Sequence, residues 1–162
     1  KLLGDSLYTW SQYSDSVYIF DAEKGKLAHS FEVRSQYTTI ESPRYSIADT
    51  ASLTVQEFVN KYNTTVSQIG LVLPDPYRNY LYVYVRHQHE KDEDYSWSLL
   101  TYNQNYQKID EQIFHTDSHY YHYNYVAREG LLINSMPQYL DKKSYKRSKV
   151  YYELYKLETE DQ

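Results

Sequence analysis

Short runs in which apolar and polar residues alternate, each closed by a turn residue, recur along the chain; this period of two predicts strands. Leu7 to Trp10, Val17 to Phe20 and Leu27 to Val33 form a first set. Asp21, Lys24 and Gly25 supply the turn between its second and third members, with Gly25 suited to a positive φ. After a break at Ser42 and Pro43, one stretch has helical period: across Thr54 to Tyr62, Val55, Phe58, Val59 and Tyr62 make an apolar stripe. Thr54 and Glu57 stand at capping-box spacing at its start.

From Val66 the strands resume as Val66 to Leu73, Tyr80 to His87, Ser96 to Tyr102 and Gln107 to Phe114, with Pro74 to Asn79 and Asn103 to Asn105 as turns. Four in succession predict an up-and-down meander. His122 to Ala127, Leu131 to Asn134 and Lys149 to Leu157 make a last group, and the tail from Glu158 is polar and expected to fray. The fold class is therefore all-β and mainly antiparallel, in sheet groups at about 6–33, 66–114 and 121–157. The groups, about 28 to 49 residues long, approach the 40–50 of a propeller blade, so the expectation is propeller-like meander blades in a partial ring, with one short inserted helix. Three blades would leave wide exposed sheet edges. The chain thus reads either as a single β domain or as a fragment of a larger β-propeller.

Composition narrows the function classes. At 162 residues, with 41% hydrophobic and 24% charged residues, the chain suits one globular domain. A formal net charge of −5 lacks the basic footprint of a nucleic-acid binder. The basic cluster Lys142, Lys143, Lys146, Arg147 and Lys149 reads as a solvated loop. No stretch reaches the apolar length of a membrane span, and no leader-like sequence opens the chain. The absence of cysteine excludes disulfides and thiolate chemistry while leaving the compartment open. Because the first residues are Lys1 and Leu2, a processed product, a trimmed chain or a fragment is expected, and a lipid-anchor cysteine can have left with a leader.

Among chemistry-bearing residues, the histidines come first. His87 and His89 alternate on one strand, and His115, His119 and His122 crowd a turn between two sheets, where imidazoles can hold zinc or copper. No metal-binding helix motif or closing carboxylate stands at ligand spacing, so solvated loop histidines are the expectation and no metal site is assigned. Asp92, Glu93 and Asp94 lack the order of a calcium loop and read as a hairpin tip. Asp5, Asp15, Asp49, Asp75, Asp110, Glu111 and Asp117 are available carboxylates, but no pair is singled out for acid–base work. There is no nucleophile elbow, and four glycines are too few for a phosphate-cradling loop. No catalytic residue and no cofactor is assigned.

The 22 tyrosines are the chain's compositional signature. Tyr80, Tyr82 and Tyr84 alternate along one strand, as do Tyr121, Tyr123 and Tyr125 along another. Such stripes either fill the space between sheets or offer stacking platforms to sugars and peptides, and packing is the default. If exposed, they are the candidate ligand-binding residues.

The segments YRNYLYVYV, WSLLTYNQNYQKIDEQIF, YNYVAREGLLIN and KVYYELYKLE, in this order, resemble the C-terminal half of the TolB-like six-bladed β-propeller lipoproteins of Bacteroidetes, an uncharacterised family. The D-P-Y-R turn of that family is matched by Asp75, Pro76, Tyr77 and Arg78. A strand repeat I-x-x-x-D/N-x-x-x-K-I-x-E resembles Leu99 to Glu111, and E-G-L-x-I matches Glu129 to Ile133. The chain is about half the length of a six-bladed ring. The resemblance implies a lipidated leader, a periplasmic or cell-surface location and an accessory role beside an outer-membrane nutrient transporter.

The functional expectation is a non-enzymatic extracytoplasmic binding or interaction protein whose partner is an envelope protein or a glycan or peptide, with no nucleic acid and no membrane contact except through an anchor outside this segment. Two alternatives stay open: an envelope hydrolase using groups near Asp75, His87 or His119, and a structural subunit that oligomerises by strand exchange.

Overall fold

The structure, a computed structural model, describes residues 2–11, 14–40, 53–58, 66–89, 95–116, 119–135 and 150–157. Among these residues, eleven strands form three antiparallel sheets. Sheet 1 holds β1 (Leu2–Leu3), β2 (Ser6–Trp10), β3 (Ser16–Asp21) and β4 (Lys26–Glu32) in chain order. Sheet 2 is β5 (Gln68–Asp75), β6 (Tyr80–Arg86), β7 (Ser96–Tyr102) and β8 (Lys108–His115), also in order. Sheet 3 is β9 (His119–Ala127), β10 (Gly130–Ser135) and β11 (Tyr151–Tyr155), with β10 in the middle. The expected meanders and their grouping are thus observed. β1, two residues long, is too short to carry a periodic signal.

Three hairpins share one turn design. Asp21, Asp75 and Asn103 each accept backbone N–H bonds from residues two to four positions on. Gly25, Asn79 and Tyr106 then close the turns with positive φ of 64°, 56° and 58°. The expected capping box also forms: Thr54 Oγ1 accepts from Glu57 N at 3.2 Å, and Glu57 Oε2 accepts from Thr54 N at 2.8 Å. Residues 55–58 are helical, within the connection between sheets 1 and 2. The remainder of the expected helix lies outside the described residues, as do the acidic run at Asp92 to Asp94 and the basic cluster at 142–149.

The two central strands of sheet 2, β6 and β7, are buried on both faces, and their alternation assigns each face to a different neighbour. Leu81, Val83 and Val85 of β6, with Leu100 and Tyr102 of β7, pack on Tyr8, Val17 and Ile19 of sheet 1. Tyr82 and Tyr84, with Trp97 and Leu99, pack on Leu131 and Ile133 of sheet 3. One tyrosine stripe is therefore interior filling between sheets 2 and 3. Gly130, at the start of β10, admits no larger residue, because a Cβ there would lie 2.5 Å from the Tyr155 carbonyl oxygen.

The other stripe is interrupted. Tyr125 pairs with Leu132 and Tyr120 with Asn134, so the four β9 residues between them oppose the single Ile133 of β10, three more than a regular ladder holds, with Tyr123 at φ 60° in the bulge. An odd number of extra residues reverses the facing of the chain, so the alternation expected through Tyr121, Tyr123 and Tyr125 does not run unbroken. No helix among the described residues is long and apolar enough to cross a membrane.

Candidate functional site

Polar ties join the three sheets, and they use several residues that sequence reading leaves open. Asp75 is fully buried at the start of the D-P-Y-R turn. Its carboxylate accepts from Tyr77 N, Arg78 N and the Arg78 guanidinium, with Nε at 2.7 Å and Nη2 at 2.6 Å, and from the Tyr82 hydroxyl at 3.2 Å. The rest of the guanidinium crosses to sheet 3, where it donates to the carbonyls of Ala127 and Arg128, both at 2.9 Å. Burial, and after it the Asp75 charge, push the Tyr82 hydroxyl up to about 12.

Glu111 of β8 makes the matching tie to the segment that follows β4 of sheet 1. Its side chain, 2% exposed, accepts from Lys108 Nζ at 2.7 Å, from Gln36 N at 3.0 Å and from Ser35 Oγ, while Lys108 also donates to the Arg34 carbonyl. Burial raises the Glu111 pKa, but the bonds from Lys108, Ser35 and Gln36 outweigh it and hold the carboxyl below its ordinary 4.5. A group depressed in the folded state stabilises above its unfolded pKa and loses that contribution as the pH falls through the folded value. Glu111→Gln is expected to cost about 1.5–3 kcal/mol at neutral pH, the worth of hydrogen bonds to a charged group. Urea unfolding at neutral pH and again well below 4 checks this, since the gap between the two proteins should close in acid.

Two further bonds bind sheet 3 to sheet 2. Tyr155 donates to Asp110, and Trp97 Nε1 donates to the His119 carbonyl at 2.8 Å.

The histidines are dispersed. His87 is buried and shares a 2.8 Å bond with Ser98; burial, partly offset by Glu111 and reinforced by His115, lowers its pKa. His89 stacks on Tyr95, His115 pairs with Ser96 at 2.9 Å, and His119 meets Glu153 at 2.9 Å. The side chain of His122 lies outside the described ones, as do that of Tyr121 and the residues Asp49 and Asp117. Among the described residues no three His, Asp or Glu groups converge as a metal would need. Asp75, paired with Tyr80 at the start of β6, and His87, just past its end, stand about 20 Å apart by strand rise.

Among the described residues, two clefts between sheets stand out. The first, about 440 Å³, lies between sheets 2 and 3, where Phe114, His115, His119, Glu153 and Tyr155 are among its lining. The second, about 220 Å³, lies at the turn end between sheets 1 and 2 and is lined by Tyr8, Tyr80 and Tyr106, by the turn residues Asn79, Asn103 and Gln104, and by Asp75 and Leu81. Tyr106 holds a left-handed backbone, which costs a non-glycine residue about 1–2 kcal/mol. Its ring is fixed by stacking on His29 and Phe31, at 4.7 and 5.5 Å between centroids. Asn79 and Gln104 are exposed at the rim, and Asp75 is already neutralised by Arg78.

Of the candidate tyrosines, Tyr82 and Tyr84 are interior, Tyr80 borders this second cleft, and Tyr123 and Tyr125 are exposed on β9. Sequence reading missed Tyr8, Asn79, Gln104 and Tyr106. Asparagine at the last position of a turn was the available signal for Asn79; nothing local marks the others.

No family model matches the chain, and no curated protein matches it. A crystal structure of a DUF4221 family member from Bacteroides vulgatus matches with a TM-score of 0.60 at 18% identity, over 80% of this chain. The two share a fold. The matched region spans only 39% of that structure's chain, and its source belongs to the bacterial group suggested by the D-P-Y-R and E-G-L-x-I segments.

Proposed function

We propose that this chain is a non-catalytic binding module of the cell envelope, built as successive blades of a propeller-like stack, which takes a glycan or peptide in the cleft between sheets 1 and 2. The observation that carries the reading is the lining of that cleft. Half-buried Tyr80 and Tyr106 beside rim carboxamides, with buried Tyr8 beneath them, offer rings for stacking and amides for hydroxyl or peptide groups, while its one carboxylate is committed to an internal ion pair. Tyr106, strained and stacked in place, is pre-organised for contact, which lowers the ordering cost of binding.

Envelope location, a lipid anchor and service beside an outer-membrane uptake system complete the proposal; they rest on the resemblance of the D-P-Y-R and E-G-L-x-I segments. Titration calorimetry against neutral oligosaccharides and short peptides tests the binding itself. Tyr80→Ala is expected to weaken binding about tenfold, a loss near 1.4 kcal/mol. Silence across both panels, or affinity untouched by Tyr80→Ala, would remove the reading.

A further inference from the structure

The cleft between sheets 1 and 2 discriminates between its two candidate occupants, a peptide and a glycan. An extended peptide docks through main-chain bonds to a sheet edge. This cleft has few such bonds to give. Leu81 pairs with Pro74 on one side and Tyr102 on the other, and Tyr8 lies on the inner strand β2. Asp75 alone comes from an edge strand, as the last residue of β5, and it pairs with Tyr80. The turn amides are spent inside the turns. Tyr77 N and Arg78 N donate to the Asp75 carboxylate, Asn105 N and Gln107 N to the Asn103 side chain, and Tyr106 N to the Asn103 carbonyl.

What the cleft offers instead is side-chain amides beside a ring. Asn79 and Gln104 stand exposed at the rim and make no hydrogen bond among the described residues. A carboxamide carries an acceptor next to two donors, which complements adjacent hydroxyls that each give and take a bond. His29 and Phe31 stack on Tyr106 at 4.7 and 5.5 Å, yet stand only 6.5 Å from each other. On opposite sides of Tyr106 they would be separated by nearly the sum of those two spacings. Both therefore cover one side, and the other is left to the cleft that Tyr106 lines.

Charge and size narrow the class further. Among the described residues no lysine, arginine or histidine lines the cleft, and buried Asp75 already holds Arg78. Burial and its bond with Tyr106 push the Tyr8 hydroxyl well above its ordinary 10, so it too stays neutral. A charged group entering would lose water without meeting a counter-charge. The volume of about 220 Å³ falls below the roughly 300–1,000 Å³ of sites for drug-sized ligands, which suits one sugar residue of a chain.

We infer that the cleft takes one uncharged hexose residue of a glycan, its C–H face on the open side of Tyr106 and its hydroxyls held by Asn79 and Gln104; this rests on the binding role proposed above. Chemical-shift titration of the isotope-labelled chain tests it with neutral methyl hexosides, the matching uronates and amino sugars, and blocked, uncharged tripeptides. Neutral hexosides are expected to shift the side-chain amide signals of Asn79 and Gln104 and to bind about fivefold or more tighter than either charged series. Gln104→Ala, at an exposed turn position, should weaken them about three- to tenfold, the worth of one neutral hydrogen bond, with the rest of the spectrum preserved. Tripeptide binding without hexoside binding would overturn the inference and leave the binding role standing, whereas silence in every series would remove both. Charged sugars held as tightly as neutral ones, or hexosides indifferent to Gln104→Ala, would also overturn it.

Discussion

Arg78→Ala is expected to lower the unfolding free energy by about 3 kcal/mol, toward the lower end of the range for breaking a buried ion pair. Asp75 is wholly buried, and Arg78 supplies its counter-charge through two guanidinium nitrogens. Without it the carboxylate keeps only its backbone and tyrosine donors, and the carbonyls of Ala127 and Arg128 lose theirs. The Arg78 side chain is 26% exposed, so water reaches the vacated site, which argues for the lower end. Urea unfolding at neutral pH provides the measurement. Arg78→Lys keeps a charge but not the planar fork that reaches carboxylate and carbonyls together, so it should fall between wild type and alanine. A loss no greater than the roughly 0.5 kcal/mol of an ordinary surface change would show that the tie holds nothing together. The two sheets it joins touch mainly through the side chains between them, so the variant should also loosen sheet 3 first, visible as faster amide exchange on β9 and β10.

The D-P-Y-R segment shows how far the chain could be read in advance. Its residue types announce a turn, and the turn is there, because Asp side chains bond their own backbone a few residues on and Pro restricts φ. That Arg78 reaches across to sheet 3 is a fact about residues about 50 positions away, and no local pattern contains it. The same division holds for the tyrosines. Alternation along β6 places Tyr82 and Tyr84 on one face, but only the presence of sheet 3 makes that face interior. Along β9 the expectation of unbroken alternation misses the bulge, since Tyr123 has no glycine to mark its positive φ. The hairpin turns and the capping box were legible because each is a bond within a few residues. The cleft was not, because Tyr8 and Tyr106 come together only when sheet 1 packs on sheet 2.

Trp97→Ala should be among the most damaging single changes in the chain, costing about 3–5 kcal/mol by loss of buried area and the cavity left behind. Trp97 has no exposed surface and lies between Phe114, at 4.4 Å with rings nearly parallel, and Tyr84, at 5.4 Å. It does two separable things: its indole fills the space between sheets 2 and 3, and its Nε1 donates to the His119 carbonyl where β9 begins. Trp97→Phe separates them, keeping much of the aromatic stack while removing the donor. The His119 carbonyl then loses this donor, at about 0.5–1.5 kcal/mol for a typical hydrogen bond, so phenylalanine should recover part of the alanine deficit but not all of it. Trp10 remains as the one tryptophan in both variants, and it borders the core between sheets 1 and 2. Its fluorescence therefore reports whether that other core survives when the one around position 97 is emptied. If the Trp10 transition and the loss of circular dichroism coincide in Trp97→Ala, the three sheets unfold as one unit. Separate transitions would mean that sheet 3 depends on position 97 while sheets 1 and 2 hold each other without it.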